Sequence, residues 1–292
     1  MGNQFFSSEQ GEDLAYINVR DLPHLAEARE FVESLWTRYR GYHDPHFLED
    51  ARNHFIERLW EMYLAVTLLE RGFQLIRYGT EGPEFYFLHD GRKVWTEAVA
   101  PGPGRGRDRV AREPIGQAFT VPTEAILLRF TNALAEKRGR YLAARQKGII
   151  DDSDLYVLAV NSRRIPHAPF GNTLPFFVQA YLPIGDLSLM MDRATGKLGN
   201  PFYKYRDAVS KASGAAVRTD SFLDPNFSFV SAILHSAVDC VNRPNALGGE
   251  FAVLHNPNAV HPLDPAVFSW CKQFFHRGEF LEVIEAGDSG EA

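Results

Sequence analysis

"GPEFYFLHDGRKVWTEAVAP", residues 82–101, holds two short alternating runs on either side of Asp90-Gly91. The dipeptide is a strong signal for a two-residue hairpin, so Phe85 and Phe87 on one run and Val94, Trp95 and Val99 on the next read as paired antiparallel strands. Each run carries a carboxylate where the pattern otherwise reads as core: Glu84 follows Pro83 at the head of the first, and Glu97 lies near the end of the second. Adjacent antiparallel strands can bring two such groups together, and like charges held that way are unfavourable without a cation between them. Oxygen ligands of this kind suit a hard divalent ion.

Working outward, Asp44-Pro45 opens a helical pattern through "FLEDARNHFIERLWEMYLAVTLLERG" that ends near Gly72, and "FQLIRY", residues 73–78, reads as a strand. Downstream of a Gly/Pro/Arg-rich loop, residues 100–114, the run 122–148 reads as a second helix and "DLYVLAVNS", 154–162, as a buried strand. The order over 44–162 is therefore helix, three strands, helix, strand. That order predicts an α/β fold with a mixed central sheet flanked by helices. Residues 1–43, with helical spacing over 22–40, form an amino-terminal helical extension. Residues 163–292 form a carboxy-terminal extension of the same domain, with strand-like runs at 226–236, 250–257 and 280–287. No charged or Pro/Ser linker separates these runs from the rest.

With 292 residues and 45% hydrophobic content, the chain can bury a large core without staples. Cys240 and Cys271 are too few for a disulfide framework, which predicts a reducing, cytoplasmic setting. The first residues lack a basic and an apolar region of signal-peptide type, and no apolar run approaches the ~18 residues of a membrane span, so no membrane partner is expected. A net charge of -6 argues against generic affinity for phosphate, but Arg105, Arg107, Arg109, Arg112, Arg129, Lys137, Arg138, Arg140 and Arg145 concentrate positive charge in one region. The loop glycines match neither a P-loop nor a dinucleotide fingerprint, and neither HExxH nor Gly-x-Ser-x-Gly is present. His255 and His261, in "HNPNAVHP", read as parts of a turn-rich structural loop.

The two carboxylates and the element order resemble the PD-(D/E)XK nuclease superfamily, on Pro83-Glu84 and Glu97-Ala98-Val99. The resemblance implies a restriction-endonuclease-like core over 44–162. It implies Glu84 and Glu97 as ligands of Mg²⁺ (or Mn²⁺), and a metal-activated water attacking a backbone phosphate of nucleic acid, DNA before RNA. The family's first helix often presents a glutamate, for which Glu61 is the candidate, because it lies in the most apolar part of its helix where an unpaired carboxylate is costly.

This chain departs from the pattern twice. Glutamate stands for aspartate at 84, and Val99 stands where the family has lysine, a group that orients water and offsets phosphate charge. Lys93 is on the face of Glu97 but four residues, roughly 13 Å, away. Lys137 on the second helix is the expected replacement, with Arg129 next. The catalytic set is thus Glu84, Glu97, Lys137 and Glu61, and the nucleic-acid contacts Arg105, Arg107, Arg109 and Arg129. The alternative is an inactive nuclease-fold subunit that binds nucleic acid or protein, for example in a bacterial defence system.

Overall fold

The computed structural model describes residues 4–79, 82–112, 116–170, 174–278 and 280–287. Among them the chain forms α1 (Leu14–Asp21), α2 (Ala26–Tyr39), α3 (Phe47–Ala51) and α4 (Phe55–Glu70), then strands β1 (Phe85–His89) and β2 (Arg92–Val99). Helix α5 (Thr123–Gln146) leads to β3 (Leu155–Asn161), and a short α6 (Phe176–Gln179) precedes two small hairpins, β4 (Ile184–Met191) with β5 (Leu198–Tyr205) and β6 (Ala208–Ser210) with β7 (Ala216–Arg218). The last strands are β8 (Ala232–Ser236), β9 (Ala252–His255), β10 (Lys272–Arg277) and β11 (Phe280–Ile284).

The architecture is α/β: a mixed seven-stranded sheet in the order β1-β2-β3-β8-β9-β10-β11, with helices on both faces. The opening hairpin forms as its turn chemistry requires. Asp90 (φ 50°) and Gly91 (φ 73°) both take left-handed conformations, the signature of a type I′ turn, and His89 pairs with Arg92. Strand β3 then runs parallel to β2 and β8 parallel to β3, so β3 is central and every residue in it is buried. Its alternation divides two cores. Leu155, Val157 and Ala159 face the layer of α1 to α4, whereas Tyr156, Leu158 and Val160 face α5 and α6. Trp60 of α4 fixes the first layer to the sheet by donating its indole N–H to the Ala159 carbonyl at 3.0 Å.

Two expectations are corrected. The helix from Asp44 to Gly72 is two helices, because the chain turns at 52–54 and α4 starts afresh with its Phe55 N–H bound to Asp13 Oδ2 at 2.9 Å. Asp13 also accepts from Ala15 N–H with Oδ1, so one carboxylate caps α1 and α4 together. "FQLIRY" contributes a single antiparallel bridge, Ile76 to Tyr86, rather than a strand. Phe73 turns aside to pack against Phe87 and Phe268, and Arg77 is drawn to the Tyr42 carbonyl. Strand β10, "KQFFHR", lies outside the strand-like runs read from the sequence and pairs parallel with β9 and antiparallel with β11. The chain beyond residue 162 supplies β8 to β11 of the same sheet, while the β4–β5 and β6–β7 pairs stand apart from it.

Candidate functional site

The register of the opening hairpin decides the geometry. Phe85 pairs with Thr96, so one step further Glu84 lies opposite Glu97, on the face shared by Tyr86 and Trp95. That face looks toward α5. Glu84 accepts the Ala98 N–H through Oε2 at 2.7 Å and keeps part of its surface open to a recess, but is otherwise enclosed. Enclosure, then the neighbouring charge of Glu97, lifts its pKa from 4.5 to about 8, against the opposing pull of Lys137 and the Ala98 N–H.

Lys137 comes from α5. Its apolar neighbours Ile126, Leu127, Phe130 and Leu134 pack that helix onto the sheet, which turns Lys137 inward, and its ammonium forms a close ion pair with Glu97 Oε1. Both partners are nearly fully buried, at 5% and 3% exposure, so an isolated charge on either would be very costly. Arg140 stands 3.7 Å from the same Glu97 oxygen. Lys137 and Val99 line one recess of about 570 Å³ with Glu84, Glu61, Arg58, Arg129, Arg140 and Arg164. Glu97 itself opens instead into a smaller recess of about 240 Å³, lined also by Arg140 and Tyr156. The two carboxylates thus stand at a partition, with Arg140 on both sides.

Glu61 is not bare. Tyr39 donates its hydroxyl to Oε1 at 2.6 Å, Arg58 pairs with Oε2 at 2.6 Å and Arg77 approaches Oε1 at 3.4 Å. Asp44 joins both arginines at 3.5 and 3.4 Å, which makes a network of alternating charges under the recess. With both oxygens engaged, Glu61 is placed to shape the electrostatics around Glu84 rather than to reach outward. Its charge helps keep the Glu84 pKa high.

Of the four arginines expected at nucleic acid, Arg129 lines the large recess and Arg109 lines a neighbouring one, whereas Arg105 and Arg107 are exposed on the loop and line neither. Arg129 lies against Gly104 (φ 86°), where a Cβ would stand 2.0 Å from its Nη1. The left-handed backbone there favours glycine, and a Cβ would also push the guanidinium aside. Arg58, Arg77 and Arg164 were not singled out from sequence. For Arg164 the available signal was its place just beyond the carboxyl end of β3, where sites of open α/β sheets gather.

The donor set fits a hard divalent ion. It offers two carboxylates, Glu84 just before β1 and Glu97 on β2, of which Glu84 is held at a raised pKa first by enclosure and then by the neighbouring Glu97 charge, and a magnesium site commonly uses one or two carboxylates with substrate and water completing it. The buried Tyr156 hydroxyl beside the smaller recess finds no partner among the described residues, so that space is suited to a polar guest. Among the described residues, a trio of possible ligands within 4.8 Å of one another occurs elsewhere, at His89, Asp90 and Asp264, where both acids are exposed. His255 is buried against Phe275 and bonded to Gln273, a structural placement.

Comparison with family models, with curated proteins and with solved structures gives no match to this chain. No helix among the described residues is long and apolar enough to cross a membrane.

Proposed function

We propose that the protein is a metal-dependent phosphodiesterase acting on nucleic acid, built on a restriction-endonuclease-like core over 44–162. The observation that carries this reading is the convergence of three groups from separate segments: Glu84, just before β1 and bonded to the Ala98 N–H, Glu97 on β2, and Lys137, delivered to Glu97 from α5. Lys137 lines the same recess as Val99, so it can bring to the site the cation that the strand lacks. A divalent ion held by Glu84 and Glu97 would supply polarisation of the phosphate and a lower pKa for water. Arg129 and Arg140, beside Arg58 and Arg164 in their ion pairs with Glu61 and Glu57, give the recess guanidinium donors that suit phosphate oxygens. Glu61 holds Arg58 and Arg77 in place beneath it. The unbridged, buried Cys240 and Cys271 suit a cytoplasmic setting.

One observation favours the inactive alternative: Lys137 already neutralises Glu97 without any metal. The test separates the two. Purified protein is incubated with single- and double-stranded DNA and RNA in Mg²⁺ or Mn²⁺, beside Glu97→Gln and Val99→Lys. Cleavage by wild type that is lost in Glu97→Gln supports the nuclease. Cleavage by Val99→Lys alone supports a fold that has kept the cation site and lost the chemistry.

A further inference from the structure

Beside the recess of Glu84 and Lys137 lies a second, of about 540 Å³, lined by Arg109, Arg112, Arg163, Arg164 and His167. The two share Arg164. The second recess has a single acidic wall residue, Asp239, which is already in a close ion pair with Arg163. Arg164 forms a close ion pair with Glu57 and reaches the Ala100 carbonyl at 3.3 Å. Arg109 and Arg112 carry no ion pair among the described residues and are exposed toward solvent. With Arg163 and Arg164 paired to Asp239 and Glu57, the local excess of positive charge is that of Arg109 and Arg112, on a chain whose net charge is -6.

The loop that presents Arg109 and Arg112 is fixed rather than free. Val110 is 1% exposed and packs into the α5-side core, and its N–H binds the Pro103 carbonyl at 2.8 Å. The next residue, Ala111, is held through its carbonyl by His167 Nε2 at 3.0 Å. Asp108 accepts the Ala212 N–H at 2.6 Å, and Arg129 lies on Gly104 from below. The apolar anchor at 110 therefore fixes the backbone that carries the two arginines at the recess, so less backbone freedom is lost when an anion binds. Planar guanidinium forks match phosphate oxygens bidentately.

We infer that the second recess is a subsite for a further backbone phosphate of the polynucleotide strand, gripped by Arg109 and Arg112 while Arg164, on the ridge, serves both recesses. This rests on the nuclease reading for the identity of the strand. The substrate it implies is a polymer that extends past the cleavage position toward the 101–112 loop, not a mononucleotide or a small phosphoester. Such a grip does not involve the carboxylates and so operates without metal.

The experiment uses the full chain in EDTA with a fluorescein-labelled 12-nucleotide single strand, read by anisotropy between 50 and 300 mM NaCl. Arg109→Ala/Arg112→Ala is compared with wild type and with Arg193→Ala/Lys197→Ala on the exposed β4–β5 turn as a charge-matched control. Losing two phosphate contacts should weaken binding by ~10-fold at 100 mM salt and flatten the log–log salt slope by about 1.4, while the control keeps both. Circular dichroism melts of the double variant should match wild type, since both side chains are exposed. Equal affinity and slope in the double variant, or an equal loss in the control, would overturn the subsite. Arginine-dependent binding with no cleavage under any metal would leave the subsite standing and remove the nuclease reading. Metal-dependent cleavage with arginine-independent binding would do the reverse.

Discussion

Replacing Glu84 by glutamine should change how stability depends on pH, and in a direction opposite to that of most carboxylates. The folded-state pKa of Glu84 is raised from 4.5 to about 8. A group raised in this way favours the folded state fully below its unfolded pKa, and that contribution is lost as pH rises through the folded value. Without divalent metal, wild type should therefore lose stability between about pH 4.5 and 8 through this one group. At about 1.4 kcal/mol per unit the ceiling is about 5 kcal/mol, and partial opening to the recess brings the expected figure to roughly 2–4 kcal/mol. Glutamine keeps an oxygen for the Ala98 N–H and carries no charge, so Glu84→Gln should escape the loss.

The assay is urea unfolding of both proteins in EDTA from pH 4.5 to 9, and the quantity of interest is their difference, which cancels the other titrating groups. The two should be equally stable near pH 5, with the variant ahead by the stated amount at pH 9. Millimolar Mg²⁺ should close the gap by stabilising wild type alone. A difference that stays flat across the range would refute the claim that Glu84 is held protonated by its surroundings. A gap that Mg²⁺ leaves untouched would refute the ion site.

Two further outcomes follow from the same cluster. Lys137→Ala and Glu97→Ala should each destabilise the protein by about 3–5 kcal/mol, because each leaves a buried charge alone, and the double variant should cost less than either single change, as unfolding free energies would report. Tyr156→Phe removes a buried hydroxyl without a partner among the described residues, so it should leave metal-free stability unchanged or raise it by about 1 kcal/mol, while weakening Mn²⁺ or oligonucleotide binding read by calorimetry. Lower metal-free stability in that variant would mean that the hydroxyl is satisfied within the fold.

The strands that hold Glu84 and Glu97 were legible because their information is local: an Asp-Gly turn, a two-residue period and a length that fits. The carboxylate pairing follows from counting away from that turn, and α5 was legible from the apolar residues of its first half, Ile126 to Leu134. Lys137 was legible only as a candidate, since it is one of nine cations in the stretch from Arg105 to Arg145 and its inward turn depends on how α5 packs. The Arg58, Arg77 and Asp44 network was not legible, because its partners lie 14 to 33 residues apart and meet only when α3 and α4 fold back. The break between α3 and α4 was missed for the same reason: the residue that caps α4 is Asp13, 42 positions away.

That shared cap makes the first helix part of the site's machinery at one remove. Asp13 ties the start of α1 to the start of α4, and Glu57, Arg58 and Glu61 follow within the next two turns of α4. Phe5 and Phe6 press the same arm down against Phe55. For anyone preparing shortened versions of this chain, the arm is a strut and not packaging: cutting after residue 13 would free the end of α4 to fray and let the floor of the recess drift, although none of the described residues removed lines it.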